Sequence, residues 1–206
     1  KILDRVEDSD TGEVLVPEMH VEITQDLREK AESLAAVVGE SLWEQLPTVD
    51  SLTPVSPRVS DMILGMNWQP SMCVVGADGL PSVQVAGNVL RTNTDLKLSF
   101  RIPPGVEAES LEPILKELLE SDPPYGAEVS FVPDSSANGF HSPPLVGEVK
   151  RAISEAATHF TNSPPMATWI GGTIPFMSMM QSRYPEARFL CTCLLYTSDA
   201  ADDLLC

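Results

Sequence analysis

The sequence predicts a layered α/β fold, and three stretches carry that expectation. Leu96, Leu98, Phe100 and Ile102 alternate with Lys97, Ser99 and Arg101, the period-two signature of a strand with one buried face. After the Pro103-Pro104-Gly105 stop, Leu111, Ile114, Leu115, Leu118 and Leu119 fall in one helical stripe at spacings of three and four. Glu128-Val129-Ser130-Phe131 alternates again beyond Asp122-Pro123-Pro124. A strand-helix-strand unit calls for layers rather than a bundle.

The other elements follow in chain order. Leu27, Ala31, Leu34, Ala35, Val38 and Leu42 share a face, so a helix is expected from about Asp26 to Leu46 with Thr24 as its N-cap. Pro47, Pro54 and Pro57 mark a connector from about Pro47 to Ser60. Met72 to Val75 reads as a strand ended by Gly76-Ala77-Asp78-Gly79. Pro143-Pro144 precedes a helix whose apolar face is Leu145, Val149, Ala152, Ile153, Ala156, Ala157 and Phe160. A short strand at Ala167–Ile170 then runs into Gly171-Gly172-Thr173 and a helix from about Ile174 to Ser182, whose Met177, Met179 and Met180 are expected to pack in the core. Phe189 to Cys191 starts a last strand.

Composition narrows the function classes. The 206 residues suffice for a sizeable core, and 43% of them are hydrophobic. With 13 Lys and Arg against 30 Asp and Glu, the net charge is -17, which repels nucleic acid and anionic membranes. No apolar run approaches the roughly 20 residues of a membrane span, so a soluble, cytoplasmic protein is expected. Cys73, Cys191, Cys193 and Cys206 do not form a disulfide framework, and the single-residue spacing of Cys191 and Cys193 is a poor zinc site. The opening Lys-Ile-Leu-Asp-Arg carries no initiator Met or targeting signal and reads as a cut.

Few residues suggest chemistry. His20, His141 and His159 are scattered, with no paired metal-ligand spacing; His141, in a loop before a helix, is the best placed. Glu29 and Glu32 sit on a solvated helix face beside Arg28 and Lys30. Gly171-Gly172-Thr173 can build an anion site from backbone N–H groups at a helix start, or can be an ordinary capped turn. Arg101, on the polar face of its strand, is either a solvated side chain or a fork suited to gripping a carboxylate.

The run from Asn88-Val89-Leu90 through Leu98-Ser99-Phe100-Arg101-Ile102-Pro103-Pro104-Gly105, followed by Gly171-Gly172-Thr173-Ile174-Pro175, resembles the dizinc peptidases that include carnosine dipeptidase, aminoacylase and succinyl-diaminopimelate desuccinylase. The resemblance covers about residues 1 to 192. It implies a lid and dimerisation domain over residues 1–134, a four-stranded antiparallel sheet with two helices on one face, and the C-terminal part of an α/β catalytic domain over 135–192. It also implies that Asn88 reaches the partner subunit's active site, that Arg101 binds the substrate carboxylate, and that Gly171, Gly172 and Thr173 contact the same end of the substrate.

The family holds two zinc ions through a His-x-Asp, a bridging Asp, a Glu beside the general-base Glu, another Asp and a final His. None of these motifs can be placed here, so no catalytic or metal-binding residue is assigned to this chain. Ile170 stands where relatives commonly have Glu, and Arg91 where many have Pro. Residues 193–206 resemble translated sequencing-adapter sequence and are left out of the fold reading. The resemblance implies a homodimer acting on small peptides or N-acyl amino acids, this portion being inactive alone; a non-catalytic α/β dimerisation or binding module is the alternative.

Overall fold

The computed structural model describes residues 1–44, 49, 52–169 and 174–191. The chain divides into two compact units: Lys1–His141 with Met166–Arg183, and Ser142–Pro165 with the chain from Tyr184 onward.

The first unit holds the sheet and two apolar clusters. Helix α1 spans Gln25–Val38, and the Thr24 hydroxyl accepts the Leu27 N–H at 3.4 Å, as an N-cap should. It stops eight residues before the expected end because Gly39 turns to φ 58°, a conformation glycine adopts at little cost. A single turn, α2, follows at Ser41–Glu44. Within the expected connector a further helix begins, α3 at Val59–Trp68. Its buried face mixes Ile63, Leu64 and Trp68 with Ser60 and Asn67. The Asn67 amide donates to the Ile63 carbonyl at 2.7 Å, and such buried polar residues interrupt the apolar stripe that would have revealed the helix. Leu27, Ala31 and Leu34 of α1 pack against Ile63, Leu64 and Trp68 of α3.

Strands β1 (Ser71–Asp78) and β2 (Asp95–Arg101) pair antiparallel, from Ser71 opposite Arg101 to Asp78 opposite Asp95. The register shifts between Val74 and Gly76, so β1 runs through Gly76 by means of a bulge instead of ending there. Beyond β2, Ile102 and Val106 join Ala108, Leu111, Leu115 and Leu119 of α4 (Ala108–Glu120) and Val6, Val14, Val16 and Met19 from the N-terminal segment in the second cluster. The expected stripe of α4 is therefore its buried face. Arg5 closes the far end of α4: its guanidinium donates to the carbonyls of Leu118 at 2.9 Å, Ser121 at 2.5 Å and Asp122 at 2.6 Å.

The sheet has two strands among the described residues where the resemblance implied four. Glu128–Phe131, expected as a strand, forms no ladder. Its anchor is a side chain instead, since the Phe131 N–H donates to Glu120 Oε1 at 2.7 Å while the Phe131 ring packs on the second cluster. Residues 167–169 and 189–191 are likewise not strands, and Ile170 lies outside the described residues. Helix α6 occupies Pro175–Arg183, close to expectation, but none of its residues is buried and Met179 is 55% exposed, so its methionines are not core.

In the second unit α5 spans Gly147–Thr161 and ends at Asn162 in the left-handed conformation. Its apolar stripe forms as expected yet no residue of the helix is buried. The Ser142 hydroxyl donates to the Phe189 carbonyl at 3.5 Å within this unit.

Candidate functional site

Arg101 is the final residue of β2, opposite Ser71, and the chain is fixed immediately behind it by buried Ile102 and Pro103. Alternation along the strand turns Ile102 inward and Arg101 outward. The guanidinium is exposed and makes no hydrogen bond or ion pair among the described residues. The neighbouring cation Lys97 is committed, pairing with Asp134 at 2.6 Å; this contact holds the Asp134 carboxyl below the usual carboxylate range and pushes the Lys97 ammonium up. Arg101 is thus a fork of donors on a rigid strand end, open to an incoming carboxylate.

Asn88 is exposed in the excursion 79–94 that joins the two strands. The neck of that excursion is tight: Gly79 has φ +75°, and a Cβ there would stand 2.5 Å from the Asn93 carbonyl oxygen. The excursion leaves the sheet beside the Asp78–Asp95 pair, whereas Arg101 sits at the Ser71 end, about 20 Å away along the ladder. The ladder alone therefore does not bring Asn88 and Arg101 together. Gly171, Gly172 and Thr173 lie outside the described residues; Pro175 beyond them is the first residue of α6, where the missing N–H is tolerated.

Each histidine is engaged elsewhere. His20 Nε2 donates to the Val14 carbonyl at 2.6 Å. The His141 ring meets Trp68 edge-on, with centroids 5.1 Å apart, and His159 meets Phe160 at 4.7 Å. Packing against its surroundings, and secondarily the charge of Lys30, lowers the His141 pKa. Glu32 pairs with Arg58 at 3.7 Å, and Glu29 accepts from Gln25 at 3.0 Å. Among the described residues no group of three or more His, Cys, Asp or Glu is placed to hold a metal, so this chain's described side chains do not fit a dizinc centre and no catalytic step is assigned to them.

Two local arrangements escaped the sequence reading. Trp68 is enclosed by His141 and Trp169, both edge-on to it, and its buried indole N–H has no acceptor among the described residues. Asn138, thirty residues past the start of α4, reaches back to cap that helix: the Ala108 N–H donates to its Oδ1 at 2.8 Å. The only sequence signal for the second was the Asn138-Gly139 dipeptide, a turn marker.

No protein-family model matches the chain, and no curated protein matches it. Solved structures do. The dipeptidase Dug1p from Saccharomyces cerevisiae superposes with a TM-score of 0.56 at 20% identity, over 87% of this chain and 38% of that one. Human carnosine dipeptidase 1 gives a TM-score of 0.56 at 16% identity, over 88% and 38%. The M20 family metallo-carboxypeptidase Sso-CP2 from Sulfolobus solfataricus gives 0.55 at 16%, over 88% and 40%. The chain shares its fold with these peptidases and spans about two fifths of their length.

Proposed function

We propose that this chain is the lid and carboxylate-recognising portion of a metal-dependent exopeptidase or amidohydrolase that hydrolyses peptide or N-acyl amide bonds in substrates with a free carboxylate. The observation that carries the proposal is the fold shared, over nearly nine tenths of this chain, with two dipeptidases and a metallo-carboxypeptidase. The unpaired guanidinium of Arg101 supports it, because such a fork on a rigid strand is suited to gripping a carboxylate through two parallel hydrogen bonds. On this reading residues 1–134 act as lid and dimerisation region and 135–192 belong to the catalytic domain. Asn88 reaches the partner subunit's site, Arg101 and the Gly171-Gly172-Thr173 loop hold the substrate carboxylate, and residues 193–206 are a non-native tail. The separation of Asn88 and Arg101 along the ladder suits a homodimer in which a lid serves more than one site. Two zinc ions would be held by residues other than those described here, the chain alone would be inactive, and the setting would be cytoplasmic with no nucleic-acid or membrane partner.

The test is the complete reading frame of the parent transcript, which should encode His-x-Asp and a Glu-Glu pair upstream of Lys1. The protein made from it should hydrolyse dipeptides or N-acyl amino acids, and Arg101→Ala should lower kcat/KM by about 2–5 kcal/mol once substrate buries the contact. An unchanged kcat/KM removes Arg101 from the site. A complete frame without those motifs leaves a dimerisation or binding module.

A further inference from the structure

We propose that Asn138-Gly139 is a spontaneous deamidation site that the folded chain holds closed, so that conversion of Asn138 reports and makes permanent the release of the segment docked on α4. This is the one Asn-Gly step in the sequence. Glycine after asparagine offers no side chain to shield its backbone nitrogen and the most freedom for that nitrogen to approach. Packing fixes the glycine: a Cβ at Gly139 would stand 2.8 Å from the backbone N and Cα of Pro104 and 2.9 Å from the carbonyl carbon of Pro103. Hydrogen bonding fixes the asparagine, whose Oδ1 accepts from the Ala108 N–H at 2.8 Å and whose Nδ2 donates to Glu107 Oε2 at 2.5 Å. Asparagine meets both needs, an acceptor for the helix N-terminus and a donor for a carboxylate. The fold therefore keeps a chemically labile pair in place and at the same time immobilises it.

The reaction needs only water. The Gly139 backbone nitrogen attacks Asn138 Cγ and gives up its proton, the side-chain nitrogen leaves as ammonia, and a five-membered imide forms. Water then opens the imide at either carbonyl, giving Asp or an isoaspartyl linkage. Attack requires Cγ to swing onto the Gly139 nitrogen, which both bonds of the amide resist. Either product breaks the latch. Asp puts a carboxylate where the donor to Glu107 was, and like charges at that separation repel. The isoaspartyl form adds a backbone atom where Gly139 already lies against Pro103 and Pro104.

Peptide mapping by mass spectrometry, on chain held at mildly alkaline pH in native buffer and in denaturant, tests this. Conversion at Asn138 should be slower by roughly tenfold or more in the native chain, because it proceeds through local opening. Asn162, followed by Ser163 and without a side-chain bond among the described residues, serves as internal control and should be little protected. Glu107→Ala should speed native conversion several-fold while leaving the rate in denaturant unchanged, with circular dichroism verifying its fold. Asn138→Asp should lower the thermal midpoint at neutral pH, and Glu107→Gln added to it should restore much of the loss by supplying a donor. Equal native and denatured rates at Asn138 in the wild-type chain, a comparison that requires no variant to fold, would overturn the proposal; so would an Asn138→Asp chain as stable as wild type.

Discussion

Gly139 illustrates how a single backbone position can be decided by its neighbours. An alanine Cβ there would meet Pro104 backbone atoms at 2.8 Å, and prolines offer no flexible side-chain end that could move aside. Gly139→Ala should therefore destabilise the chain by about 1–3 kcal/mol, the usual range for forced overpacking, read as a lower denaturant midpoint at unchanged slope. Arg5 poses the opposite case, a side chain whose reach matters. It serves carbonyls of Leu118, Ser121 and Asp122 at the end of α4, positions a lysine ammonium cannot span together. Water can reach those carbonyls, so Arg5→Ala should cost about 1–2 kcal/mol, and Arg5→Lys should recover only part of it. An Arg5→Lys chain as stable as wild type would show that charge near the helix end, not the fork, is what counts.

The helices show what periodicity reveals and what it hides. The stripe Leu111, Leu115 and Leu119 was legible and is buried, so Leu115→Ala should cost about 2–5 kcal/mol. The equally legible stripe of α5 is not buried: Val149 is 51% exposed, and Val149→Ala should change stability by less than about 0.5 kcal/mol. Periodicity tells which face is apolar but not whether anything covers it. Helix α3 was hidden because Ser60 and Asn67 stand among its buried positions, satisfied by partners no pattern displays. Glu128–Phe131 alternates like a strand, yet the Phe131 backbone N–H goes to the Glu120 side chain eleven residues earlier, a contact that alternation within the segment cannot foresee. Of the candidate site, the outward Arg101 was legible from alternation alone, whereas the packing of His141 on Trp68 was not, since it joins an α3 residue to a distant loop. The burial of His141, and secondarily the charge of Lys30, has a pH signature. The folded chain holds the His141 pKa below its ordinary value of 6.5, so the unfolded chain takes up the proton first as pH falls. Stability should be full above that value and decline as pH drops below it, and His141→Asn should flatten thermal midpoints across the mildly acidic range. An unaltered slope would assign the acid sensitivity to carboxylates such as Glu120, which its bonds to Lys116 and then Phe131 hold low.

The two units differ in how much apolar surface they keep. The first buries two clusters, while in the second Phe160 remains 81% exposed on an amphipathic helix with no buried residue. A chain spanning two fifths of the length of peptides' hydrolases that share its fold would leave such a face open if its cover belonged to the remaining three fifths. The proposed assignment of 135–192 to a catalytic domain turns this into a comparison between two proteins. In the present chain Phe160→Ser removes an exposed ring and should shift stability by less than about 0.5 kcal/mol while reducing binding of a hydrophobic dye. In the protein made from the complete reading frame the same substitution should cost about 3–5 kcal/mol, as large-to-small changes in a core do. A small effect in both would detach α5 from any catalytic core, and a large effect in the present chain would mean that its own residues cover the ring.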